Sequence, residues 1–117
     1  MAGALAVAAA ALVVSGGPAQ ASWNQCGSGY ACAWDAADYT GGLLIAQSSS
    51  WANFESANND RASSIANRTS GDVGWYTAGG LAGSRYCQTS GNSNNYVGND
   101  WNDKFSSVIV YGSGGYC

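Results

Sequence analysis

Two six-residue stretches repeat one set of oxygen donors. Asn59-Asp60-Arg61-Ala62-Ser63-Ser64 and Asn102-Asp103-Lys104-Phe105-Ser106-Ser107 share one order: amide, carboxylate, cation, a variable residue, two serines. Amide, carboxylate and hydroxyl oxygens, joined by loop carbonyls, are hard ligands that suit Ca²⁺ rather than zinc, copper or iron. One carboxylate per copy implies weak binding, about 10⁻⁵–10⁻³ M for extracellular sites. The competing reading is a pair of hydrogen-bonded turns in which Asp and Ser serve only the backbone.

Other chemistry is scarce. The chain has no histidine, which removes Ser-His-Asp and Cys-His catalysis and His-ligated zinc. Outside the repeated stretches Asp35, Asp38, Glu55, Asp72 and Asp100 could form a glycosidase pair, but their spacing singles out no two of them. The expectation is a protein that is not an enzyme. Of the five tryptophans, Trp34 and Trp75 lie in strand-like runs and read as core. Trp101 precedes a repeated stretch, and Trp23 and Trp51 remain candidate surface aromatics.

The elements that must hold the two stretches are short strands. Each copy runs into a β-branched segment, Ile65-Ala66-Asn67 or Val108-Ile109-Val110-Tyr111. Further apolar runs, bounded by Gly, Asn, Asp and Ser, cover Tyr30 to Trp34, Gly42 to Ala46, Val73 to Thr77 and Tyr86 to Thr89. Such spacing predicts an all-β sandwich or barrel. One segment, Ser50 to Phe54, reads as a single helical turn with Ser50 as N-cap.

The repeat also extends upstream. Trp34-x₄-Tyr39-x-Gly41 is matched by Tyr76-x₄-Leu81-x-Gly83, so two units of about 40 residues fill the chain. Each hairpin needs a glycine, Gly41 or Gly83, free to take positive φ at its fold-back. Two such units make two four-stranded Greek keys, over residues of about 30–68 and 73–112, closing one sandwich.

Residues 1–21 are expected to be a signal peptide. An Ala/Val/Leu run from Ala2 to Val14 precedes Ala19-Gln20-Ala21, a small-x-small cleavage pattern, and is too short to span a bilayer. The domain then covers 22–117. Four cationic against seven anionic side chains give a net charge of −3, which argues against nucleic acid. Residues 22–117 carry no amphipathic stretch for a membrane, and a monomer is expected. Cys26, Cys32, Cys87 and Cys117 follow the export signal, so two disulfides are expected among three possible pairings. The short Gly/Ser loop between Cys26 and Cys32 favours joining those two, leaving Cys87 with Cys117.

The aromatic-x₄-aromatic-x-Gly hairpin followed by N/D-N/D-x-x-S/T-S, present twice and in register, resembles the βγ-crystallin superfamily. Cys26-x₅-Cys32 followed by Ala33-Trp34-Asp35 and Tyr39-Thr40-Gly41-Gly42 is similar to a secreted bacterial peptidase inhibitor family with the same fold. The resemblance implies one crystallin-like sandwich with two Ca²⁺ sites whose loops exchange ligands. It assigns Asp60 and Asp103 as charged ligands, Ser63 and Ser106 as hydroxyl ligands, and the carbonyls of Arg61 and Lys104 as backbone ligands, with Asn59 and Asn102 assisting. Ser64 and Ser107 become structural serines that bond the folded hairpins. Leu81 departs from the pattern, so a looser second hairpin is expected. The implied function is inhibition of an extracellular peptidase, the candidate loops being Gly79–Arg85 and Cys87–Asn95; the alternative is a calcium-stabilised extracellular structural or interaction module.

Overall fold

The computed structural model describes residues 23–117, so the expected leader lies outside the described residues. The chain is all-β. Its strands are β1 (Ala31–Ala36), β2 (Thr40–Gln47), β3 (Ser50–Asn53), β4 (Ser64–Asn67), β5 (Val73–Ala78), β6 (Ala82–Gln88), β7 (Ser93–Asn94) and β8 (Ser107–Val110). They form two antiparallel four-stranded sheets, ordered β2-β1-β4-β7 and β3-β8-β5-β6. The two halves exchange strands, since β3 pairs with β8 (Trp51 opposite Ile109) and β7 pairs with β4 (Asn94 opposite Ile65).

That exchange corrects the helical turn expected over Ser50 to Phe54. Ser50–Asn53 is a strand because β8 offers it a ladder, with Ser50 opposite Val110 and Asn53 opposite Ser107, and Phe54 beyond it enters the core. Ser50 enters it through the left-handed region, at φ 60°. Tertiary pairing overrides a weak local capping signal.

Strand alternation sets the core. Val73, Trp75, Val108 and Val110 point between the sheets, where Ala31, Ala33, Leu44, Ile65, Val97 and Phe105 meet them. The Trp75 ring sits between Phe54 and Phe105, at 6.3 and 5.9 Å between centroids. Its indole N–H is satisfied by Gln88 Oε1 at 3.0 Å. A second cluster covers the outer face of the first sheet, where Trp34, Cys32 and Ala66 are packed by Trp23, Tyr39 and Leu43.

Both hairpins fold back as the repeat requires. Gly41 and Gly83 take φ of 88° and 79°. A Cβ on Gly83 would also lie 2.4 Å from Thr77 Oγ1, so any other residue would have to displace that side chain. The disulfides join Cys26 to Cys32 and Cys87 to Cys117.

Candidate metal centre

The two oxygen-rich stretches are loops lying side by side, each entering its closing strand, β4 or β8. What anchors them is the variable fourth position. Ala62 and Phe105 are fully buried in the core, so each loop is plugged into the sandwich beneath it. Reciprocal backbone bonds then join loop to loop. Asp60 N–H donates to the Phe105 carbonyl at 3.1 Å, and Asp103 N–H donates to the Ala62 carbonyl at 3.0 Å. Both aspartates sit at φ 60°, a left-handed conformation that Asp tolerates better than most residues.

Side-chain oxygens from both loops meet in two clusters. In one, Ser106 Oγ lies 3.1 Å from Asp60 Oδ1 and 3.2 Å from the Thr77 carbonyl. Ser106 has a single hydroxyl proton, so it donates to only one of these oxygens; the other is held there by the fold. Oxygens on adjacent corners of a Ca²⁺ shell, each about 2.3–2.6 Å from the ion, lie about 3 Å apart. The carboxylate, hydroxyl and carbonyl gathered here are hard oxygen donors of the kind that Ca²⁺ takes. In the other cluster Ser63 Oγ donates to Asn102 Oδ1 at 2.6 Å. This pair is neutral and closed on itself.

The two halves of the site are therefore unequal. Asp60 joins a cluster directly, whereas Ser63 meets the amide of Asn102 rather than the Asp103 carboxylate. Asp103 instead acts on Arg61, whose protonated form is favoured first by its hydrogen bond to Asp35, then by the charge of Asp35, and more weakly by Asp103. The Arg61 guanidinium grips Asp35 through Nη2–Oδ2 at 2.5 Å and donates to the Ala57 carbonyl at 2.8 Å. The hydrogen bonds of the described side chains bring neither Asn59 nor Lys104 into the clusters. Thr77 was not legible as a contributor, because its carbonyl arrives from strand β5 and no side chain signals it.

The next serine in each stretch, Ser64 or Ser107, bonds a hairpin backbone. Ser64 Oγ donates to the Ala36 carbonyl at 2.7 Å and accepts from Tyr39 N–H at 3.0 Å. Ser107 Oγ does the same in the second repeat, to the Ala78 carbonyl at 2.6 Å and from Leu81 N–H at 3.0 Å. The second hairpin keeps the same clasp, with Leu81 at φ 60° like Tyr39 and both bonds made, although Tyr39 also packs its ring on Trp23 and Trp34. The backbone of Leu81, not an aromatic ring, makes the corner. Among the described residues one group of three His, Cys, Asp or Glu side chains lies close enough for a metal, Asp72 with Cys87 and Cys117. Both of its sulfurs are committed to a disulfide.

Residues 19–87 match the model of Peptidase inhibitor family I36, which is more than half of the chain. The chain belongs to this family. Solved structures similar to this inhibitor-family chain are βγ-crystallin domains. A doubly threonine-to-serine-substituted domain from Clostridium beijerinckii is 26% identical with a TM-score of 0.58, over 68% of this chain and 93% of that one. A domain from Flavobacterium johnsoniae is 23% identical with a TM-score of 0.62, over 73% and 97% of the two chains. Clostrillin carrying two serine-to-histidine substitutions, 24% identical with a TM-score of 0.58 over 68% and 94%, was solved in complex with nickel. Among curated proteins none matches the chain significantly.

Proposed function

We propose that residues 22–117 form a secreted, monomeric inhibitor of an extracellular peptidase, released from a leader at 1–21 and stiffened by two weak Ca²⁺ sites. Membership of the I36 family carries the inhibitory reading. The oxygen cluster of Asp60, Ser106 and Thr77 supports the calcium reading. One ion would be held by that cluster. The second would take Ser63 and Asn102, with Asp103 supplying charge. The carbonyls of Arg61 and Lys104 and the side chain of Asn59 complete the set that the resemblance implies. Calcium here does no catalysis; it adds a cross-link between the two loops.

An inhibitor must offer a rigid exposed segment, because ordering a floppy one on binding costs affinity. Two segments qualify. The tip Gly79–Leu81 is fixed by Asn53 Oδ1 on Gly80 N–H at 2.8 Å and by Ser107 on Leu81. The stretch after Cys87 is fixed by Gly91 N–H on the Asn67 carbonyl at 2.9 Å and by Ser90 Oγ on the Thr69 carbonyl at 2.6 Å.

The test is inhibition of a panel of secreted metallo- and serine peptidases, with calcium and with chelator. Stoichiometric inhibition of at least one, without hydrolytic turnover by the protein itself, is expected. No inhibition across the panel, with calcium still raising the melting temperature, would move the assignment to a calcium-stabilised interaction module.

A further inference from the structure

The outer faces of the two sheets correspond residue by residue, yet only the first has an aromatic lid from the chain itself; the second carries the Cys87–Cys117 bridge, with Cys87 opposite Gly74. Trp34, opposite Leu43 and Ser64, corresponds to Tyr76, opposite Arg85 and Ser107. Cys32 and Ala66 correspond in the same way to Gly74 and Ile109. On the first sheet the chain covers this face itself. Trp23 stacks on Trp34 at 6.1 Å between centroids, the Cys26–Cys32 bridge clamps the segment down, and Trp34 is fully buried. Arg68 lies over Trp23, 5.6 Å from its centroid.

On the second sheet nothing among the described residues plays the part of Trp23. Ile109 and Tyr76 close over the bare Cα of Gly74, their atoms 3.2 and 3.1 Å from where a Cβ would stand, with Arg85 Cδ at 3.5 Å. Trp51, opposite Ile109 on the edge strand, is 48% exposed. Arg85 is exposed, and its charged form is favoured first by Tyr76 and more weakly by Tyr111. It differs in this from Arg61, which makes the salt bridge of the described residues. Trp, Tyr and Arg gathered on one face are the residue types that dominate binding energy at protein interfaces. In a chain of net charge −3 this face presents an exposed cation, Arg85, that takes no part in the salt bridge of the described residues.

We infer that the outer face of the second sheet, formed by Trp51, Tyr76, Arg85, Ile109 and Tyr111, is the surface on which the target peptidase docks. The occupant is a peptidase surface that presents an apolar or aromatic side chain beside a carboxylate. The side chain covers Ile109 and Trp51 as Trp23 covers Trp34, and the carboxylate accepts the Arg85 guanidinium fork. The face runs on to the hairpin tip, since Asn53, two residues from Trp51, holds Gly80. This inference rests on the peptidase-inhibitor reading.

The experiment begins with a peptidase that the wild-type protein inhibits and measures Ki for Trp51→Ala and Arg85→Ala. Both side chains are exposed, and thermal melts of the variants check that the fold is intact. A rise in Ki of at least tenfold for each, with that of Arg85→Ala shrinking at high salt, is expected. Unchanged Ki in both folded variants overturns the docking face and leaves the inhibitor reading standing. No inhibition of any peptidase by the wild type overturns both. Retention of the wild type on insoluble cellulose or chitin, lost in both variants while Ki stays constant, also overturns it, because the face is then a sugar-stacking platform.

Discussion

Replacing Asp60 by Asn tests the proposed calcium site most directly. Asparagine keeps the shape of the side chain and tolerates the left-handed conformation at φ 60°, so the change removes charge and little else. If only the folded protein binds, calcium at a hundredfold excess over Kd adds about 2.7 kcal/mol to stability. For a domain of this size that raises Tm by about 10–20 °C. Asp60 is the carboxylate that meets Ser106. Its loss should weaken the site at least tenfold, reducing the gain at the same calcium concentration to about 1.4 kcal/mol. The calcium-dependent rise in Tm should then fall to about half, while the melt in chelator stays close to wild type. Magnesium, which demands tighter octahedral geometry, should stabilise far less. Differential scanning calorimetry with titration calorimetry reads both quantities. A wild-type melt unchanged in millimolar calcium refutes the metal centre; an Asp60→Asn variant with the full calcium response refutes the role given to this carboxylate.

Three other outcomes are expected. Replacing Cys87 and Cys117 by serine opens a loop with a sequence separation of 30, and should cost about 3–4 kcal/mol by denaturant titration. Ser107→Ala removes the bonds to Ala78 and Leu81; the stranded backbone groups should cost about 1–3 kcal/mol, and amide exchange at Leu81 should accelerate. The Tyr111 phenol is pushed above its ordinary value, first by its hydrogen bond to Tyr76 and next by partial burial. Its contribution to stability is therefore complete below about pH 10 and is lost as pH rises through its folded value. Tyr111→Phe should flatten that alkaline decline in a pH series of urea melts.

What could be read from the sequence was chemistry carried by neighbours in the chain. The order Asn-Asp-x-x-Ser-Ser marked both loops, and the adjacency of two serines separated an oxygen donor from a hairpin clasp because neighbours on a strand face opposite ways. The loop from Cys26 to Cys32 is short enough to announce its own closure. What could not be read depends on partners distant in the chain. Ser50 to Asn53 looks like a helical turn until β8 arrives beside it. The preference of Ser63 for Asn102 over Asp103, and the diversion of Arg61 to Asp35, are settled by how two loops meet in space. Leu81 shows a third limit, because an aromatic missing from a motif says nothing about backbone bonds that hold the corner without it.

The strand exchange has a consequence for the order in which the molecule can assemble. A chain made from its N-terminus completes β1, β2 and β4 early, but the strand that closes their sheet, β7, comes only after the second hairpin. Meanwhile β3 has no ladder until β8, near the end of the chain, has been made. Both early sheet edges must therefore wait open, and an open edge is a template for pairing with another chain. Pairings that join Ser50 to Val110 make folding slow and non-local, on the timescale of all-β domains. Neither half is a unit that could be shed, duplicated or traded on its own. A substitution that weakens β3 or β7 is therefore felt first in the sheet of the opposite half.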